Sequence, residues 1–186
     1  MNWRNTTDSY GAMAKLLHWS IVLLVIAQFV FASLADDLPD GAEQLEMLGR
    51  HKSFGMLILL LALARIAWRL ANPTPLPPPG TPRWQRIAAA STHGILYLLI
   101  LVQPLVGWAM SSAGGHPVAL FDWFAFPAIL GPDHDLHEAL EEVHEVLAGT
   151  IIAVAALHLA AAFYHHFLVG DDVLRRMLPL GAKRRG

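Results

Sequence analysis

Cysteine is absent from the 186 residues. That removes a disulfide framework, thiolate zinc sites, iron–sulfur clusters, covalently attached c-type haem and cysteine nucleophiles together. Any metal here must be held by His, carboxylate or Met. Charge is also scarce: 15% of residues are Asp, Glu, Lys or Arg, against about 25% in a soluble domain. With 55% hydrophobic residues and a mean hydropathy of +0.44, an ordinary soluble globule is excluded. Disorder is excluded too, because it needs low hydrophobicity and high net charge. Nucleotide-loop, nucleophile-elbow and zinc-protease motifs are missing, and no nucleic-acid partner is expected. Histidine is the residue in excess, ten copies against 13 Lys and Arg.

The apolar residues fall into four runs. Leu16–Ala35, Ile87–Met110 and Val146–Val169 carry no charge, and Leu48–Leu70 carries Arg50, Lys52, Arg65 and Arg69 only near its ends. A bilayer core takes about 20 apolar residues per helix. The expected fold is therefore all-α, a transmembrane four-helix bundle. One integral membrane domain over 1–186 is expected, with spans at about 14–35, 46–70, 85–110 and 143–169. Ser33-Leu34-Ala35 resembles a cleavage site, but a signal core is about 7–15 residues. The first run is longer, carries His18, and reads as a retained helix.

Charge sets the orientation. Of the 13 Lys and Arg, all but Arg50 and Lys52 lie before span one, around the linker between spans two and three, or after span four. Of the 15 acids, all but Asp8, Asp171 and Asp172 lie on the opposite side. Both termini are thus expected in the cytoplasm, with acidic loops outside a bacterial inner membrane. The linker Asn72–Pro82 (NPTPLPPPGTP) reads as a stiff polyproline connector. Ser111–Asp133 is rich in Gly, Pro and aromatics suited to the membrane interface. Leu136–Val146 (LHEALEEVHEV) reads as a helix running into span four. Its acids are either a docking face for a basic partner or an ordinary solvated surface.

Ionisable side chains inside spans are costly and are functional candidates by default. Fourteen residues separate His144 from His158, about 1400° of helical rotation, so both rings share a face about 21 Å apart. His51 and Arg65 stand in the same relation on span two. The alternating direction of the spans puts His51 and His144 at one outer level, and His18 and His158 in the inner half. A single membrane His is commonly a helix–helix hydrogen-bonding group. Two levels, each with His from two helices, suit two haems b, each with an imidazole on both faces of its iron. Spacing leaves His158, His165 and His93 open as inner partners of His18. Gly55 near His51, Gly149 near His144 and the alanines around His158 leave room for a macrocycle. His134 and His137, with neighbouring acids, form a weaker candidate for a metal.

The sequence resembles the bacterial cytochrome b561 family, small di-haem membrane cytochromes that include superoxide oxidase. The matching pieces are KLLHW at His18, HKSFG at His51, the Arg65/Arg69 pair, NPTP at Asn72, HGILYLL at His93, QPLVG at Gln103, HEVLA at His144, LHLAAA at His158, YHHF at His165 and LRRMLP near the end. The resemblance implies haem axial ligands at His18, His51, His144 and His158. It pairs His51 with His144 and His18 with His158.

A bis-His iron has no open position, so electrons pass by outer-sphere transfer. The expected function is an oxidoreductase moving electrons across the bilayer between a periplasmic partner, with superoxide a candidate, and membrane quinone. Arg65, His93 and His165 sit at the inner level as candidate contacts for quinone or a haem propionate; ordinary snorkelling also accounts for Arg65 and Arg69. The acidic outer loops oppose an anion such as superoxide, apart from Arg50 and Lys52 beside His51. The first alternative is a haem b membrane-anchor subunit of a dehydrogenase or hydrogenase. The second is a haem-free transporter or structural bundle.

Overall fold

The computed structural model describes residues 2–121 and 123–178. Asp122 and the cations Lys183, Arg184 and Arg185 lie outside the described residues. Four long helices dominate: α1 (Ala12–Asp36), α2 (Ala42–Ala71), α3 (Arg83–Ala113) and α4 (His134–Phe163). All four are long and apolar enough to cross a membrane. Within a bilayer no water satisfies the backbone, so each apolar run must close its hydrogen bonds on itself. Helices α1, α2 and α3 overrun their expected spans at both ends, whereas α4 starts well before its span and reaches the expected end at Val169 only through a π-helical segment. Its early start at His134 follows from a cap, the Asp133 carboxylate accepting from the Leu136 amide at 3.0 Å. Large apolar side chains such as Leu23, Leu98, Leu157 and Phe167 stay exposed. An apolar surface on this scale is suited to lipid.

Helix α1 packs chiefly on α2, and α3 on α4, with α2 joining the two hairpins through α3. Among the described residues, α1 and α4, or α2 and α4, make no comparably close backbone approach. The interior therefore keeps room between the hairpins.

A small plug that the aromatic-rich sequence did not announce covers the acidic end. Strands β1 (Val118–Leu120) and β2 (Phe124–Phe126) pair antiparallel, Ala119 opposite Ala125. Val118 is buried with Met56 and Leu59, and Trp108 and Phe126 pack against them. Buried Ser53 pins the turn: its hydroxyl donates to the Ala119 carbonyl at 2.9 Å and accepts from the Phe121 amide at 3.0 Å. Phe121 has φ +52°, an unusual left-handed conformation for an aromatic, and the hydroxyl holds it there.

At the basic end the connector is tied down from both sides. The Asn5 amide donates to the Pro73 carbonyl at 3.1 Å, and the Thr7 carbonyl accepts from the Leu76 amide at 2.8 Å. The N-terminal segment passes so close to Gly11 that a Cβ there would clash with the Trp3 carbonyl oxygen. After α4 the chain continues through a π-helical segment (Tyr164–Val169) and turns at Gly170, φ +74°. It then forms the short α5 (Val173–Met177). The Trp19 indole donates to the Met177 carbonyl at 2.9 Å, and Arg176 reaches the Leu76 carbonyl at 2.7 Å.

Candidate functional site

His51 on α2 and His144 on α4 face each other near the acidic end, ring centroids 6.2 Å apart and planes inclined by 67°. Each ring hangs from a backbone position fixed by a glutamine. Gln28 on α1 donates to the His51 carbonyl at 3.0 Å, and Gln103 on α3 donates to the His144 carbonyl at 3.0 Å. The His51 Nδ1–H donates to the Gln28 carbonyl at 3.3 Å. That bond selects the tautomer whose Nε2 lone pair is free, the arrangement typical of an imidazole that ligates metal. Among the described residues, the buried His144 Nδ1 has no partner.

A cavity of about 310 Å³ opens beside the two rings, with Gly55, Met56, Gly107 and Ile151 among its lining residues. Gly55 lines this cavity and faces the Gln28 amide nitrogen at 3.4 Å, and Gly149 has open space beside it among the described residues. The glycine that makes room for His144 is Gly107 on α3, where a Cβ would lie 3.0 Å from the ring Cε1. Three residues earlier, Pro104 removes one N–H from the α3 ladder.

Near the basic end, His18 on α1 and His158 on α4 stand 6.4 Å apart between centroids, inclined by 75°. His93 on α3 lies closer to His158, at 5.2 Å. His165 is engaged elsewhere. The turn at Gly170 brings Asp171 beneath it, and its Nδ1–H donates to that carboxylate. A π turn also advances each residue by less than an α turn does, so counting α-helical turns from His158 overstates how far His165 returns to the same face. Arg65 does not simply snorkel outward. It donates to the Ala14 carbonyl of α1 at 2.7 Å and lies 6.0 Å from the Tyr97 ring, with Arg69 at 5.9 Å from the same ring.

A repeat in the sequence underlies this layout. Gln28 stands as far beyond His18 as Gln103 stands beyond His93, and Arg65 as far beyond His51 as His158 beyond His144. The α1–α2 hairpin and the α3–α4 hairpin thus carry matched polar positions. The matched pair His51 and His144 meet at the acidic end. At the basic end the matched positions differ: His18 and His93 agree, but Arg65 stands where the second hairpin has His158. Composition hides this repeat, because Leu, Val and Ala fill all four spans alike. The polar spacing would have revealed it, and with it Gln28 as the counterpart of Gln103.

The ring separations bear on what each level can hold. An imidazole nitrogen binds a first-row metal at about 2.0–2.1 Å, and the ring centre lies about 1.1 Å further, so imidazoles opposed across one metal have centroids about 6.3 Å apart. The pairs at 6.2 and 6.4 Å match that separation. A direct hydrogen bond between rings would bring them closer. Among the described residues no group of three or more His, Asp or Glu could hold a bare ion. A metal at the centre of a flat apolar macrocycle needs only the two axial rings. The apolar cavity, the Gly107 clearance and the free His51 Nε2 all fit such a group.

The sequence profile of the family described as prokaryotic cytochrome b561 matches residues 9–180. Cytochrome b561 homolog 2 of Escherichia coli (strain K12) is 32% identical over 184 residues, covering 96% of this chain and 95% of that protein. The probable superoxide oxidase CybB of Yersinia pestis is 32% identical over 183 residues, 95% of this chain and 98% of that protein. Cytochrome b562 of Cereibacter sphaeroides is 29% identical over 174 residues, 91% of this chain and 94% of that protein.

Proposed function

The chain belongs to the prokaryotic cytochrome b561 family, multi-pass bacterial membrane proteins that bind haem b and transfer electrons, and we propose that it carries two haems b and moves electrons across the bilayer between an outer redox partner and membrane quinone. His51 and His144 would hold the outer haem, and His18 and His158 the inner one. The observation that carries this reading is the spacing of the two ring pairs, 6.2 and 6.4 Å. Held so, haem b would supply one-electron chemistry, and its exchange with partners would be outer-sphere.

The chain's own residues fix the rest. The Gln28 carbonyl orients the His51 ring, and Gln28 and Gln103 lock the two outer ligands to neighbouring helices. The Ser53-pinned hairpin, with Val118 buried against Met56 and Leu59, covers the outer level and limits water. At the inner level His93 and Arg65 offer hydrogen-bond donors beside His158, where a quinone oxygen or a haem propionate is recognised. His165, tied through Nδ1 to Asp171, offers only its Nε2. Both termini lie in the cytoplasm, in keeping with the basic residues at that end.

Two outer partners have specific support. Superoxide is supported by the relative whose name is probable superoxide oxidase. A basic redox protein is supported by the cavity rim, where Asp36, Glu141 and Glu145 outnumber Lys52. Purified protein in detergent, supplied with a superoxide source and a ubiquinone analogue, separates them. Superoxide as donor predicts quinone reduction above background at a rate that rises with salt, because salt screens the acidic rim. No reduction above background would remove superoxide. Stoichiometric co-purification with a dehydrogenase or hydrogenase would support the anchor-subunit reading instead.

A further inference from the structure

At the acidic end, outside the paired-imidazole levels, a second pocket is lined by Ala113, Gly114, His116, Asp133, His134 and His137. His116 follows the end of α3, and His137 lies in the first turn of α4. Their ring centroids are 6.4 Å apart. The sequence pairs His137 with its neighbour His134, but His134 turns to Glu138 instead, Nε2 to Oε1 at 3.4 Å. The ring that faces His137 comes from the other helix end.

Three features prepare this pair for a metal. The His137 Nδ1–H donates to the Met110 carbonyl at 2.9 Å, so its Nε2 presents a lone pair, as in imidazoles that ligate metal. The His116 backbone is clamped on both sides by buried Ser111: the His116 amide donates to the Ser111 carbonyl at 2.9 Å, and the Ser111 hydroxyl donates to the His116 carbonyl at 3.1 Å. Gly114 leaves space for both rings, since a Cβ there would lie 2.9 Å from His137 Nδ1 and 3.1 Å from His116 Cδ2. Two imidazoles sharing one ion have centroids from about 5 Å in tetrahedral geometry to about 6.3 Å when opposed. The observed pair stands at the open end of that range, and rotation of the exposed His116 side chain closes it.

We propose that His116 and His137 form a two-imidazole surface site for a borderline divalent ion of the Zn2+ or Cu2+ type, with its remaining positions taken by water. Imidazole nitrogen is the ligand these ions prefer, whereas Mg2+ and Ca2+ prefer oxygen. The nearby acids Asp133, Asp135 and Glu138 offset the positive N-terminal end of α4. The site is independent of the two haem levels.

Zinc titration by calorimetry, on intact protein in detergent and purified without a polyhistidine tag, tests it. Wild type is expected to bind one Zn2+ per chain, with Mg2+ giving no heat. His116→Ala and His137→Asn should each weaken zinc binding at least about tenfold. The asparagine keeps a donor near the Met110 carbonyl while deleting Nε2, so the local fold is preserved, and circular dichroism checks that it is. His134→Ala should weaken binding less than either. Absence of zinc binding to wild type, or wild-type affinity in both His116→Ala and His137→Asn, would overturn the proposal.

Discussion

The two imidazole levels are built differently although they arise from the same repeat. At the outer level the matched residues His51 and His144 oppose each other, and matched glutamines hold their backbones. Among the described residues, the buried side-chain atoms left without a partner there are the glutamine oxygens and His144 Nδ1, and the charged groups Asp36, Lys52, Glu141 and Glu145 stay at the cavity rim. At the inner level the match is broken. His18 and His158 oppose each other, while His93 and Arg65 remain as extra polar groups in the same layer. The contrast suggests a division of labour. A level with two rings and no further buried donor beside them is suited to hold a cofactor. A level with surplus donors can hold a cofactor and also meet a polar molecule.

Breaking the outer level should have the largest effect. His144→Ala leaves His51 with no opposing ring, so the purified protein should fall from two haems per chain to one, read by haem extraction against protein mass. His18→Ala should do less cleanly the same, because His93 stays 5.2 Å from His158 and can take up part of the vacated role. Partial haem retention with an altered low-spin spectrum is the expected sign. Equal and complete loss in both variants would erase the difference between the levels.

The surplus itself is tested by His93→Ala. It should keep both haems and lower the rate of electron delivery to quinone, by about a hundredfold if the ring serves in proton transfer. A variant that loses haem would make His93 a ligand rather than a quinone contact.

Smaller effects sharpen the account of how the outer rings are held. Gly107→Ala places a methyl 3.0 Å from the His144 ring and should cost about 1–3 kcal/mol, with a shifted outer-haem spectrum. Gly149→Ala, with nothing within 4 Å among the described residues, should leave the spectrum unchanged and raise stability by up to about 1 kcal/mol through helix propensity. Thermal unfolding followed at the haem band distinguishes them. Gln28→Ala and Gln103→Ala each remove one hydrogen bond to a ligand's backbone and should cost about 1 kcal/mol, with similar values because their positions match.

Much of this was legible in the residues. Four apolar runs fix four helices, since a bilayer allows few alternatives to a helix. The distance from His144 to His158 places two rings on one face of α4, and the structure brings a partner opposite each. What was not legible depends on contacts between segments distant in sequence. Gly107 matters because α3 presses on α4, which no local pattern reports. His165 was placed by α-helical counting, and the π segment and Gly170 turn redirect it to Asp171. The β-hairpin plug depends on Ser53, a residue of α2 far from the turn it pins. His137 finds His116 rather than His134 for the same kind of reason.

The central claim is that two pairs of opposed imidazoles each hold a haem b. Visible absorption of the purified protein, oxidised and then reduced, with haem quantified per chain, addresses it directly. Two low-spin b-type haems per chain are expected. A colourless protein, or a single haem in the wild type, would contradict it.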